Sequence, residues 1–101
     1  MTEPRISRDA EDDLFALHEF YADKSVKYVR KVVEAIMKRA RVHARFPSIG
    51  TARDAWRPGL RSFSVAGFVV MYRPADDTIE LLHVFDGRRD IDSIMKLEYP
   101  E

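Results

Sequence analysis

The apolar residues of this chain change period at Phe46-Pro47, and that switch limits the folds open to it. Before it, Ala10, Leu14, Leu17, His18 and Tyr21 recur at the spacing of a helix face. Val26, Val29, Val33, Ile36, Met37, Ala40 and Ala44 trace a second stripe, and Lys27, Arg30, Lys31, Glu34, Lys38, Arg41 and Arg45 fill the opposite face. After the switch, Leu60 to Ala66 alternates like a half-buried strand, with Phe63 and Val65 set against Arg61, Ser62 and Ser64. Phe68 to Tyr72 is a continuous apolar run suited to a central strand, and Thr78 to Phe85 reads as a third strand. Helices first and strands second predict an α+β domain: an N-terminal helical hairpin packed on a three- to four-stranded, mainly antiparallel sheet.

The punctuation agrees with that order. Arg5-Ile6-Ser7 is a short extended piece, and Ser7 and Ser25 are N-cap residues for the two helices. Asp9, Glu11, Asp12 and Asp13 follow Ser7 in the first turns, where the helix macrodipole favours anions. The first helix is expected to end near Ala22, and the second to run about 20 residues, ~30 Å at 1.5 Å per residue. Proline at 47 stops it, because the residue before a proline is pushed out of the α region. Residues 48–59 form an irregular stretch, Ala66-Gly67 and Pro74-Ala75-Asp76-Asp77 are turns, and residues 90–97 form a short helix with Ile91, Ile94 and Met95 inward.

With 101 residues there is length for one core, so residues 1–101 are expected to be a single domain. The absence of cysteine excludes disulfides, thiolate nucleophiles and cysteine-based zinc sites. No apolar run is long enough to span a bilayer, and Met1-Thr2-Glu3-Pro4 lacks the basic and apolar regions of an export signal. The expectation is a soluble cytoplasmic protein. The net charge of zero hides segregation: −5 over residues 1–23, +9 over 24–61 and −4 over 62–101. The total argues against non-specific polyanion binding, and the distribution predicts one positive face able to meet an acidic partner.

Few residues suggest catalysis. His18, His43 and His83 lack the spacing that seats a metal on one helix, so no metal or cofactor is expected. The six serines have no nucleophile elbow around them, and the four glycines stand singly at turns. The run Glu11-Asp12-Asp13 is explained by its place near a helix N-terminus, and Trp56 by cover for an edge of the core. The arginines carry more weight. Arg53, Arg57 and Arg61 recur every four residues, and Arg88-Arg89 follows the last strand. If the meander brings Arg61 and Arg89 to one edge, the group can clamp phosphate or carboxylate. The plainer alternative is a solvated rim with a local Arg89–Asp90 pair.

Taken in order, Ala10-(x)2-Asp13-Leu14-(x)2-Leu17-(x)3-Tyr21, Phe46-Pro47-(x)2-Gly50-(x)2-Arg53, Leu60-Arg61, Val70-Met71-Tyr72 and Leu82 through Arg89-Asp90 form a set. That set resembles the ParE branch of the RelE/ParE toxins of bacterial type II toxin–antitoxin modules, from Ile6 to about Asp90. The resemblance implies a toxin neutralised by a small cognate ParD-like antitoxin. It implies no membrane association and no sequence-specific nucleic-acid binding by this chain. The basic helix, through Lys27, Arg30, Lys31 and Lys38, is the candidate antitoxin-binding surface. Arg53, Arg57, Arg61 and Arg89 are the candidate target-binding residues.

Two chemistries divide that superfamily. RelE-like members resemble ribonucleases that cut message on the ribosome, with basic residues and histidine or tyrosine around the sheet. ParE-like members poison DNA gyrase and are not nucleases. Here no lysine lies between Lys38 and Lys96, and Asp86 occupies the position, three before the Arg-Asp pair, where many relatives carry histidine. A carboxylate there repels phosphate and cannot do the work of an imidazole acid. The expectation is therefore a gyrase inhibitor with no catalytic residue. The alternatives are a RelE-type ribosome-dependent mRNA endonuclease, with Tyr99 as substitute acid, and a non-toxic binding module acting in transcriptional autoregulation.

Overall fold

The computed structural model describes residues 3–21 and 23–98, so Ala22 and Tyr99 lie outside the described residues. The Ser7 hydroxyl accepts a hydrogen bond from Ala10 N–H at 3.1 Å and starts α1, Arg8–Tyr21. Ser25 repeats the device through Tyr28 N–H at 3.0 Å, opening α2, Val26–Arg45, which runs 20 residues as expected. Pro47 ends α2 and begins a 310 turn, Pro47–Ile49. The strands are β1 (Arg5–Ile6), β2 (Thr51–Ala52), β3 (Arg61–Val65), β4 (Phe68–Ala75) and β5 (Thr78–Asp86), followed by α3, Ile91–Glu98.

The sheet has five strands in the order β1-β5-β4-β3-β2, with β1 parallel to β5 and the other pairs antiparallel. The expected meander β3-β4-β5 is its centre. The two additional strands are two residues each, too short to leave a periodicity in the sequence. Ala66 and Gly67 both have positive φ, the backbone that a two-residue hairpin needs to follow the sheet twist. A register shift at Met71/Tyr72 pairs Tyr72 with Leu81 and Met71 with His83, leaving Leu82 as an extra residue. The extra residue reverses the alternation along β5: Ile79 and Leu81 face the helix-side core before it, and beyond it Val84 takes that side while Phe85 faces the other.

One face of the sheet packs against the hairpin through Val29, Val32, Ile36, Ala40, Phe63, Val70, Tyr72, Leu81 and Val84. The other is covered by α3, with Leu60, Met71, Phe85 and Met95 at its centre. The helix stripes need two corrections. Val32, not Val26, belongs to the α2 core face, and His18 is exposed while His43 is buried. Val26 is the first residue of α2 and precedes the buried stripe, which begins at Val29.

Asp13 also differs from expectation. It lies in the second turn of α1, beyond the first-turn acids Asp9 and Glu11. Its Oδ2 accepts the Val84 N–H at 2.9 Å and stands 3.3 Å from His83 Nδ1. Because β1 ends at the Ile6–Leu81 pair, β5 is an edge strand from there on, and Asp13 supplies the acceptor that a neighbouring strand would. Asp13→Ala is expected to destabilise the fold by roughly 2–3 kcal/mol, the worth of charge-assisted bonds at a partly buried site. Urea unfolding with an unchanged m-value would measure it.

Candidate partner-binding surfaces

Two of the sheet-end arginines, Arg53 and Arg61, are engaged in holding loops. Arg61 Nη1 donates to the Ser48 and Gly50 carbonyls at 3.1 and 2.8 Å. The Tyr72 hydroxyl donates to Pro47 O at 2.7 Å and accepts from Gly50 N–H at 3.1 Å; burial raises its pKa. Together they pin the 310 turn to the sheet. Arg53 Nε donates to Ser62 Oγ at 2.9 Å, and its guanidinium lies 4.8 Å from the Trp56 ring centroid. Trp56 donates to Asp92 Oδ1 at 2.7 Å, tying the loop to α3, and that bond followed by Lys96 lowers the Asp92 pKa. Arg57 is exposed beside Pro58, Arg73 and Glu80.

Arg89 is elsewhere. The registers align Arg61 with Tyr72 and Leu81, but Val65 with Phe68 and Asp86. The two rows are four residues apart, about 13 Å of strand, so Arg61 and Arg89 mark opposite ends of the sheet and do not converge. In an antiparallel meander the first strand begins at one end and the third finishes at the other. The Arg89–Asp90 pair is replaced as well. Asp90 caps α3 through Ser93 N–H and Oγ, at 3.3 and 2.7 Å, and the Arg89 guanidinium faces the Phe85 ring at 5.7 Å.

The ion pair at this corner is Arg88 with Asp86: Nη2 to Oδ2 at 2.8 Å, Nε to Oδ1 at 3.1 Å, and Arg88 N–H to Oδ1 at 2.9 Å. Those bonds lower the Asp86 pKa to about 2, and the same pair raises that of Arg88. Since the folded value lies below the ordinary carboxylate value, the pair's contribution to stability is present above that value and fades as pH falls toward about 2. A carboxyl NMR titration should find the Asp86 midpoint there, and Arg88→Gln should return it to the ordinary carboxylate range.

The helix hairpin offers a different kind of surface. Lys27, Arg30, Lys31 and Lys38 are all exposed along α2. Beside them a groove of about 440 Å³ runs between α1 and α2, lined by Leu14, Phe15, His18, Val26, Arg30, Val33 and Glu34. Its apolar floor was not legible in the sequence, since Phe15 lies off the α1 stripe and Val26 counts as core by spacing. A smaller cleft at the end of α1 includes Phe20, Tyr21, Phe68, Arg88 and Arg89. The histidines have separate places. His43 stacks on Phe63 at 4.5 Å and donates from Nδ1 to Arg39 O, His83 stacks on Phe85 at 5.1 Å, and His18 lines the groove.

A hairpin ahead of a largely antiparallel sheet is also the fold of a solved chain described as the chromosomal ParDE toxin–antitoxin system from P. aeruginosa. The two superpose with a TM-score of 0.69 at 21% identity, covering 85% of this chain and 96% of that one. In sequence, the family model described as the ParE toxin of type II toxin–antitoxin system, parDE, matches residues 5–91, and the chain belongs to that family. It is also 41% identical to Toxin ParE3 of Caulobacter vibrioides over 46 residues, which is 46% of this chain and 46% of that relative. No helix among the described residues is long and apolar enough to cross a membrane.

Proposed function

We propose that residues 1–101 act as one cytoplasmic toxin domain that inhibits DNA gyrase by protein–protein contact and is neutralised by a cognate ParD-like antitoxin. Membership of the ParE family supports the pairing with an antitoxin. The observation that carries the choice of chemistry is the state of Asp86, held as a carboxylate by Arg88 at the position where many relatives carry histidine. A carboxylate locked in an ion pair offers no proton to a leaving group. The engagement of Arg53 and Arg61 in loop contacts, with Arg89 at the far end of the sheet, further weakens the case for a clustered nuclease site.

The antitoxin is assigned to the α1–α2 groove and its cations Lys27, Arg30, Lys31 and Lys38. A tail that is disordered alone must bury apolar side chains to offset its ordering entropy, and the groove with Phe15 and Val26 exposed provides the surface. Arg57 and Arg89 remain the target-side candidates, since Arg61 braces the 310 turn and Arg53 is bonded to Ser62.

The test is plasmid supercoiling by gyrase alongside cleavage of ribosome-bound message, with wild type and Asp86→His. Loss of supercoiling at stoichiometric protein, no cleavage, and toxicity retained in Asp86→His are the expected results. Robust cleavage by wild type with supercoiling untouched would overturn the reading in favour of the endonuclease. Inactivity in both assays, with tight antitoxin binding, would instead support a non-toxic regulatory module.

A further inference from the structure

The Phe46–Gly50 segment is held more firmly than a helix stop requires, and its contacts leave two side chains without a structural task. Arg61 binds the Ser48 and Gly50 carbonyls, and Tyr72 binds Pro47 O and Gly50 N–H, so the backbone of the turn is fixed from inside. Phe46 and Ile49 point outward from it, 57% and 58% exposed. Val42, whose carbonyl accepts the Phe46 N–H at 3.1 Å at the end of α2, is also exposed, and Ile49 N–H closes the turn onto Phe46 O at 3.1 Å. An exposed aromatic and two aliphatic side chains on a rigid corner cost solubility unless something covers them.

The charge around this patch indicates what does. No acidic residue occurs between Glu34 and Asp54. Lys38, Arg39 and Arg45 are each three or four residues from Val42, so they surround it on the helix surface. All three are exposed. Arg41 differs, since it pairs with Glu3 at 3.2 Å. An apolar strip running from the last turn of α2 onto the 310 turn, flanked by cations that have no ion pair among the described residues, complements an amphipathic helix with apolar residues on one face and carboxylates beside them. Nucleic acid fits less well, because phosphate contacts would leave the apolar strip uncovered. An anionic membrane fits less well, because membrane binding scales with the apolar area buried plus electrostatic attraction, and three side chains on a chain of zero net charge supply little of either.

We infer that Val42, Phe46 and Ile49, framed by Lys38, Arg39 and Arg45, form a second docking surface, separate from the α1–α2 groove, for an acidic amphipathic helix of another protein. The inference does not depend on whether gyrase is the target. The probe is a short synthetic helix with leucines on one face and flanking glutamates, titrated against the full chain by fluorescence anisotropy and by amide NMR shifts. Saturable, salt-sensitive binding is expected, with shifts centred on Val42, Phe46 and Ile49. At about 0.15 M salt, both Phe46→Ser/Ile49→Ser and Arg39→Glu/Arg45→Glu should weaken it by about tenfold or more, while Lys27→Glu/Lys31→Glu, beyond a Debye length from Val42, changes it less than about twofold. These side chains are exposed, so circular dichroism should show both pairs of variants folded. Shifts centred on Leu14, Phe15 and Val33, equal binding by the Phe46/Ile49 variant, or no saturable binding would overturn the inference. So would binding of anionic vesicles or duplex DNA, with the peptide ignored, that is lost with Arg39→Glu/Arg45→Glu.

Discussion

Gly50→Ala should destabilise this protein by about 3 kcal/mol or more, over a hundredfold in the folding equilibrium, although the methyl group added is small. The backbone at Gly50 is extended, with φ −70° and ψ 160°, so alanine suffers no dihedral penalty. The cost is steric. A Cβ built there meets Tyr72 Cε1 at 2.7 Å and Cζ at 2.8 Å, and lies against the hydroxyl oxygen as well. The ring cannot swing aside, because Tyr72 is fully buried with Phe63 and His43 rings 5.9 and 5.5 Å away. Moving the turn outward instead breaks the Gly50 N–H bond to Tyr72 and the Arg61 bonds to the turn carbonyls. Tyr72→Phe alone should cost roughly 1–3 kcal/mol, mainly by leaving Gly50 N–H unpaired. The double variant removes the hydroxyl from the clash, so it should be less destabilised than the two single costs combined. Chemical denaturation of all four proteins measures the coupling. Strict additivity would show that the turn relaxes without involving the ring.

The same corner explains what the sequence could and could not tell. Both hairpin helices, their serine caps and the three central strands were legible because each rests on local rules: capping, the proline stop, and a change of hydrophobic period. Arg5–Ile6 was legible as an extended piece, but its parallel pairing with β5 and the whole of β2 were not, since two residues carry no period and their pairing depends on what lies beside them. Arg53 and Arg61 were legible as a cluster but not in their use. An arginine that braces carbonyls and one that waits for a ligand have the same letter and the same spacing, and only the position of Ser48, Gly50 and Ser62 separates them. The supposed meeting of Arg61 with Arg89 failed for a topological reason, since an odd number of antiparallel strands carries the chain to the far end. Asp13 was legible as a helix acid, whereas its bond to Val84 N–H arises from the early end of β1. The partner surfaces were least legible. Phe15, Val26, Phe46 and Ile49 are apolar letters that tertiary packing leaves outside.

Lys27→Glu/Lys31→Glu should slow association with the cognate antitoxin by about tenfold or more at low salt, with a smaller change in dissociation. Both lysines are exposed, lie one turn apart on α2, and flank Arg30 at the groove wall. Reversing both changes the local charge by four units on a segment where Glu34 is the lone acid between Lys24 and Asp54. The effect belongs to the encounter, because exposed charges act over a Debye length before contact and lose much of their strength to water once docked. Raising ionic strength from about 0.01 M to 0.15 M shortens that length from about 30 to 8 Å, so the two proteins' association rates should converge as salt is added. The apolar floor of the groove should govern dissociation instead, and Phe15→Ser should speed it while leaving the low-salt association rate nearly unchanged. Stopped-flow mixing of purified antitoxin with each variant separates the two rates. If the low-salt association rate is the same for wild type and the charge-reversed variant, the antitoxin reaches this protein by a surface other than the basic face of α2.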